Sequence, residues 1–244
     1  MDFLHLLEHH LLDHSVNLGA WTLPVSKHVL MLWLGAGLLM ISLPLVARSW
    51  PVVPSGFRNF LELFVVFIRD EIVLPNTGEE GRPYLPYFLT VFFFILVVNL
   101  LGMIPTLSTA TGNIGVTAAL ALCTFGLINW AGIRRYGVVK HFKNFVPHGL
   151  PVWLVPLMLP LELAGLVTKS FALCIRLFAN MIAGHIVILS FISLIFLFGS
   201  IFIVPASVGA AVAIGCLEIF VAFLQAYIFT LLSSIFVGAS LHPH

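Results

Sequence analysis

Charge is the scarcest thing in this chain. Its 244 residues include 11 Lys and Arg and 10 Asp and Glu, 9% of the total. Between Asn144 and His244 only four side chains are formally charged: Glu162, Lys169, Arg176 and Glu218. So little charge cannot clothe a water-soluble surface. With 60% hydrophobic residues and a mean hydropathy of +1.10, the composition lies outside the soluble globular range. A net charge of +1 without a basic patch excludes the phosphate neutralisation that nucleic-acid binding needs. Cysteine is sparse too. Cys123, Cys174 and Cys216 stand singly in apolar segments without CxxC spacing, and read as small buried hydrophobes. No glycine-rich phosphate loop, HExxH motif or nucleophile–base constellation occurs, so neither enzymatic catalysis by this chain nor a cofactor is expected. Met1 to Asn17 carries Asp2, Glu8 and Asp13 where a cleavable signal would be basic, so no such leader is expected.

Long apolar runs dominate instead, and a run of ~20 residues suffices to cross a membrane. Residues 1–27 read as a polar segment facing the outside, and 28–48 as a first span closed by Arg48, Pro51 and Pro54. Over 55–74, Phe57, Phe60, Leu61, Phe64, Phe67 and Ile68 recur at helical spacing among Arg58, Glu62, Arg69 and Asp70. That pattern predicts an amphipathic helix lying at the interface. Residues 85–133 read as a two-span hairpin about the neutral turn 105–112, and 134–156 as a basic connection holding Arg134, Arg135, Lys140 and Lys143. The stretch 157–240 reads as two long helices, 160–198 and 206–238, joined through Gly199 and Pro205. At 1.5 Å per residue each would be ~50–60 Å long, which predicts strong tilting in a ~30 Å core. The expected fold class is an all-α polytopic membrane protein with about five crossings, plus the interfacial helix. Lysine and arginine gather after the first and third spans, so the positive-inside rule puts the N-terminus outside and the C-terminus inside.

An arginine near the middle of a membrane helix costs about 2.5–3.5 kcal/mol and cannot shed its proton. Arg176 therefore calls for a partner or a function. Glu162, Lys169 and Arg176 are spaced by sevens and share a face; Asn180 lies four residues further. Ala172, Ala179 and Ala183 surround Arg176 and would let another helix approach closely. Glu218 and Gln225 are again seven apart on the next helix. An antiparallel pair turning near residue 201 sets His185 beside Glu218, and Arg176 near the level of Gln225. Two polar sites follow: a titratable His–Glu pair toward the outside and a permanent cation near mid-membrane. Lys169 reads as a residue that snorkels to the interface, and Glu162 as either its ion-pair partner or a channel residue. The pairs His5/His9 and His10/His14 read as an exposed cap rather than a metal site. A secondary transporter would show an internal repeat, and no second copy of the arginine–asparagine pattern is present.

Leu161-Glu-Leu, Lys169-Ser, Arg176-Leu-Phe-Ala-Asn-Met-Ile-Ala-Gly-His185 and the run from Leu217-Glu-Ile to Gln225 and Thr230 together resemble subunit a of F-type ATP synthases. The resemblance is strongest over 160–240 and extends through Asn99-Leu-Leu-Gly-Met-Ile-Pro105 and Gly112-Asn-Ile-Gly-Val-Thr117. It implies a proton-conducting stator subunit whose partners are the ring of c subunits, the peripheral-stalk b subunits, the rest of the complex and the lipid bilayer. It also implies that Arg176 faces the ring carboxylates between two offset half-channels. His185 and Glu218 would line the outer half-channel and Glu162 the inner one. Asn180 and Gln225 would position the arginine and the arriving carboxylate. Many bacterial members carry an acid where His185 stands and a histidine where Glu218 stands; the exchanged order here resembles mitochondrial subunits. The charged Arg69-Asp-Glu71 and the acidic N-terminal region instead favour a bacterial inner membrane over the mitochondrial alternative. Gly102 stands where some bacterial relatives have an acid, leaving Asn99 and Asn113 as candidates to line the outer channel.

Overall fold

The computed structural model describes residues 15–16, 25–48, 56–104, 110–138, 140, 155–198 and 203–242. The N-terminal histidines, Lys143 and the two inter-helix turns at 105–109 and 199–202 lie outside these residues, and Glu162 lies in a helix but its side chain does not fall among them. A two-residue antiparallel pair, β1 (Ser15–Val16) with β2 (Val25–Ser26), precedes the helices. These are α1 (Lys27–Arg48), α2 (Phe57–Phe67), α3 (Leu74–Thr77), α4 (Leu85–Gly102), α5 (Ile114–Tyr136), α6 (Val155–Phe198) and α7 (Val204–Leu241). Among the described residues, five stretches are long and apolar enough to cross a membrane: His28–Leu45, Glu79–Gly102, Ile114–Tyr136, Val167–Ile195 and Val204–Leu241. The protein is an all-α polytopic membrane protein.

Helices are the form such sequences must take, because hydrocarbon offers backbone groups no partner outside their own segment. The few polar side chains obey the same constraint. Thr90, Thr124, Thr168 and Ser190 each donate to the carbonyl four residues earlier, at 2.7, 3.2, 2.8 and 2.7 Å. α6 begins at Val155, five residues before the expected Pro160. Pro156 sits in its first turn, where a missing N–H has no consequence, and Pro160 is carried inside the helix.

Two compact units are distinguished. The second comprises Pro44–Phe92, Ala118–Cys174 and Tyr227–His244. Its core includes Ile68, Ile72, Phe88, Phe92, Ile128, Phe229 and Val237. Here the expected regular helix over 55–74 is interrupted: Ile68–Val73 winds as a π-helical turn. That turn buries Ile68, Ile72 and Val73 while leaving Arg69, Asp70 and Glu71 exposed. Arg69 Nε lies 2.7 Å from Asp70 Oδ1 and holds that carboxyl below the usual carboxylate range. The Ile72 carbonyl accepts from Asn76 Nδ2 at 2.6 Å and from Ser234 Oγ at 3.2 Å. Gly238 of α7 packs against the Asn76 carbonyl, where a Cβ would find no room. Further ties close the end of α7: Tyr136 Oη donates to the Leu241 carbonyl and Ser240 Oγ to that of Ile128, both at 2.8 Å. Arg135 pairs with Glu80, and His242 Nε2 donates to the Thr77 carbonyl at 3.2 Å. Lys169 is exposed, its Nζ 5.5 Å from the centre of the Phe236 ring.

The first unit comprises Met1–Leu43, Phe93–Thr117 and Ile175–Ala226. Ile95, Val98, Leu177, Met181, Ala222 and Ala226 form its buried apolar part. Its polar residues form the candidate site.

Candidate functional site

Within the first unit, α6 presents His185 and α7 presents Glu218. Glu218 is only 5% exposed, and a carboxylate taken out of water needs a hydrogen-bonding partner. His185 supplies it: Nδ1 lies 3.0 Å from Glu218 Oε1. The other ring nitrogen, Nε2, lies 3.0 Å from the carbonyl of Gly102 at the end of α4. A carbonyl can only accept, so Nε2 carries a hydrogen. The Nδ1–Oε1 contact then holds one proton, either as imidazolium against carboxylate or as neutral imidazole against carboxylic acid. Without that proton two lone pairs face each other. The pair is a one-proton store with a fixed orientation.

Close approach of the two helices makes this contact possible. A Cβ on Gly184 would lie 2.7 Å from Glu218 Oε1 and 2.9 Å from its carboxyl carbon. Only glycine leaves the carboxylate room there.

Further along the same helix pair, Asn180 Nδ2 donates to Gln225 Oε1 at 2.8 Å. Gln225 is 2% exposed, and its Nε2 has no partner among the described residues. Asn99 on α4 is equally buried and accepts from Thr111 Oγ1 at 2.9 Å. Asn99, Asn180, Glu218 and Gln225, together with apolar side chains of α6 and α7, line a void of about 10 Å³.

Arg176 is half-buried on α6. No hydrogen bond or ion pair of its guanidinium occurs among the described residues. Ala172, Ala179 and Ala183 around it are exposed. Asn113 Oδ1 accepts from the Gly115 N–H at 2.8 Å, capping the start of α5. Glu162 lies on the part of α6 that belongs to the second unit.

Three members of the cluster were not singled out from sequence for the contacts they make: Gly102 through its carbonyl, Thr111, and Gly184. A backbone acceptor leaves no residue-type signal. Gly184, directly before His185, did offer one, since glycine inside a helix marks a close approach.

Residues 29–238 match the family described as ATP synthase A chain. The chain is 50% identical over 233 residues to the ATP synthase subunit a of Myxococcus xanthus, covering 93% of this chain and 77% of that protein. It is 47% identical over 235 residues to that of Anaeromyxobacter dehalogenans, covering 94% and 61%. Identity to that of Chloroherpeton thalassium is 44% over 230 residues, covering 92% and 68%. The chain thus spans less than two thirds of the Anaeromyxobacter relative.

Proposed function

Because the chain belongs to the ATP synthase A chain family, we propose that it is the proton-conducting stator subunit of an F-type complex in a bacterial inner membrane. Its work is to pass protons to and from the carboxylates of a c-subunit ring through two offset half-channels, with b subunits holding it in place. The observation that carries this reading is the contrast between two kinds of polar group. His185–Glu218 and Asn180–Gln225 are paired within the chain at 3.0 and 2.8 Å, whereas Arg176 has no carboxylate among the described residues. A guanidinium in a membrane helix requires an anion. The exposed Ala172, Ala179 and Ala183 leave space for a partner helix to bring one.

In this mechanism the His185–Glu218 pair takes a proton from the outer side and hands it on past Asn180 and Gln225 to a ring carboxylate. As the ring brings the next protonated carboxyl toward the inner half-channel, near Glu162, that proton leaves. Arg176 then meets the ionised group. A fixed positive charge lowers a neighbouring carboxyl pKa by roughly 1–3 units, about 1.4–4 kcal/mol in favour of the charged form. The same charge repels a proton seeking to slip directly from one half-channel to the other. ATP chemistry resides elsewhere in the complex.

Arg176→Ala is the test. ATP-driven acidification of vesicles should be lost while assembly, checked on the same membranes, persists. Normal pumping by an assembled Arg176→Ala complex would return Arg176 to a packing role.

A further inference from the structure

Two arginines of the second unit are paired along one edge only. Arg69 turns Nε and Nη2 to the Asp70 carboxylate, at 2.7 and 3.0 Å. Arg82 turns the same two nitrogens to Glu79, at 2.6 and 3.3 Å. A guanidinium holds five N–H donors in a fixed fork, so each keeps the edge formed by Nη1 and the second hydrogen of Nη2. Among the described residues neither open edge meets an acceptor. Both arginines, with Asp70, line an open cleft of about 460 Å³ whose other walls are Leu74 and Leu85. That volume is within the roughly 300–1,000 Å³ of small-ligand sites. Part of the lining is the π-helical turn Ile68–Val73, in which the Leu74 N–H reaches the Arg69 carbonyl. Such turns are rare and gather at functional sites. This one sets Arg69 and Asp70 side by side on the exposed surface.

Depth and charge narrow the ligand. α4 has 18 residues, about 27 Å at 1.5 Å each, close to the ~30 Å of a hydrocarbon core. Its first residue, Leu85, therefore stands where hydrocarbon gives way to headgroups, and the cleft stands there with it. Arg69 and Arg82 are balanced by Asp70 and Glu79. A purely anionic headgroup would meet carboxylates as well as guanidiniums and gain little. A headgroup with both a phosphodiester and a primary ammonium meets complementary groups of each sign. The open guanidinium edges suit phosphate oxygens, and the Asp70 oxygens, each accepting one arginine hydrogen, have lone pairs left for an ammonium N–H. Leu74 and Leu85 offer an apolar wall to the first methylenes of the acyl chains. An α-helix of another subunit, ~10–12 Å across, would exhaust the space in about one turn. We propose that this cleft binds one phosphatidylethanolamine-type lipid, its phosphodiester on Arg69 and Arg82 and its ammonium on Asp70. The site lies in the second unit, and neither Arg176 nor the His185–Glu218 pair takes part in it.

The test uses the assembled complex, solubilised and freed of loosely held lipid. Phosphatidylethanolamine with a photoreactive group near the top of an acyl chain is added in mixed micelles, and light should attach it to the segment from Leu74 to Leu85. Unlabelled phosphatidylethanolamine should compete on the order of tenfold better than phosphatidylglycerol, the worth of one added hydrogen bond between charged groups. Arg69→Gln with Arg82→Gln should cut labelling of the segment by a similar factor. Asp70→Asn should keep the labelling and lose the preference between the two lipids. Equal competition by phosphatidylglycerol overturns the assignment, and so does labelling that both sets of substitutions leave unchanged. Equal competition by inorganic phosphate would make the cleft a simple anion site and overturn the lipid. Should the double variant not assemble, a density map of the unsubstituted complex decides. Headgroup density with its phosphate within about 3.5 Å of a guanidinium is expected. A protein segment in the cleft, or no density where other bound lipids are visible, overturns the proposal.

Discussion

Gly184→Ala sets two physical effects against each other. Replacing a helical glycine by alanine ordinarily stabilises a helix by about 1 kcal/mol. At this position the new Cβ would stand 2.7 Å from Glu218 Oε1, where ordinary contact begins at 3.4 Å. The carboxylate must therefore retreat by about 0.7 Å, and Glu218, 5% exposed, has little space in which to do so. A retreat of that size strains a 3.0 Å bond to His185 Nδ1 to the edge of hydrogen-bonding range or beyond it. Losing a hydrogen bond to a charged group costs about 1.5–3 kcal/mol, which translates into roughly a 10- to 150-fold slower transfer through the pair. The obstructing atom is the end of a side chain rather than backbone, so the helices should still assemble. Gly209→Ala is the control, because a Cβ there meets nothing within 4 Å. The assay is ATP-driven acidification of inverted vesicles, normalised to assembled complex. Gly184→Ala should pump far below Gly209→Ala at equal assembly. Equal pumping by the two would show that the clash is absorbed without touching the proton path, and the role given to the His185–Glu218 contact would fall.

Exchanging the partners, His185→Glu with Glu218→His, should retain more coupling than the worse single substitution, as the same vesicle assay would show; if both single variants pump normally, the outer-channel role is wrong. Gly238→Ala meets the Asn76 carbonyl, which cannot yield as a side chain does. It should destabilise by about 1–3 kcal/mol, seen as a lower thermal midpoint of the solubilised complex. Tyr136→Phe removes the 2.8 Å bond to the Leu241 carbonyl and should cost about 0.5–1.5 kcal/mol by the same measurement, while leaving proton flux unchanged. A drop in flux without a drop in midpoint would give Tyr136 a part in conduction.

Membrane spans are legible because hydrocarbon imposes one rule along their whole length, so apolar runs alone marked the five crossing segments. The juxtaposition of His185 and Glu218 was legible for a similar reason: helical period and a turn near residue 201 are arithmetic, and the 3.0 Å contact lies on that register. What escaped depends on single atoms. The π-helical turn at Ile68–Val73 differs from regular helix by one residue in its hydrogen bonding, too little to disturb the apolar spacing of 57–68. Tyr136 and Leu241 meet across 105 positions through a backbone oxygen, and the Gly102 carbonyl holds His185 in the same way. Peptide carbonyls are common to every residue, so no pattern of side chains announces which one will be used. At Asn113 the partner is local: its Oδ1 accepts from the Gly115 N–H at the start of α5.

The exposed alanines beside Arg176 have a mechanical meaning. A methyl group has no rotamers to reorganise, so under the proposed function a helix of the ring would slide along the exposed Ala172, Ala179 and Ala183 without waiting for side chains to clear its way. Longer residues would interlock with the moving surface and add a barrier at every step. In the proposed mechanism friction on this strip would be low, and the guanidinium would be its pawl: the point where a passing carboxylate is caught, held ionised and released in turn.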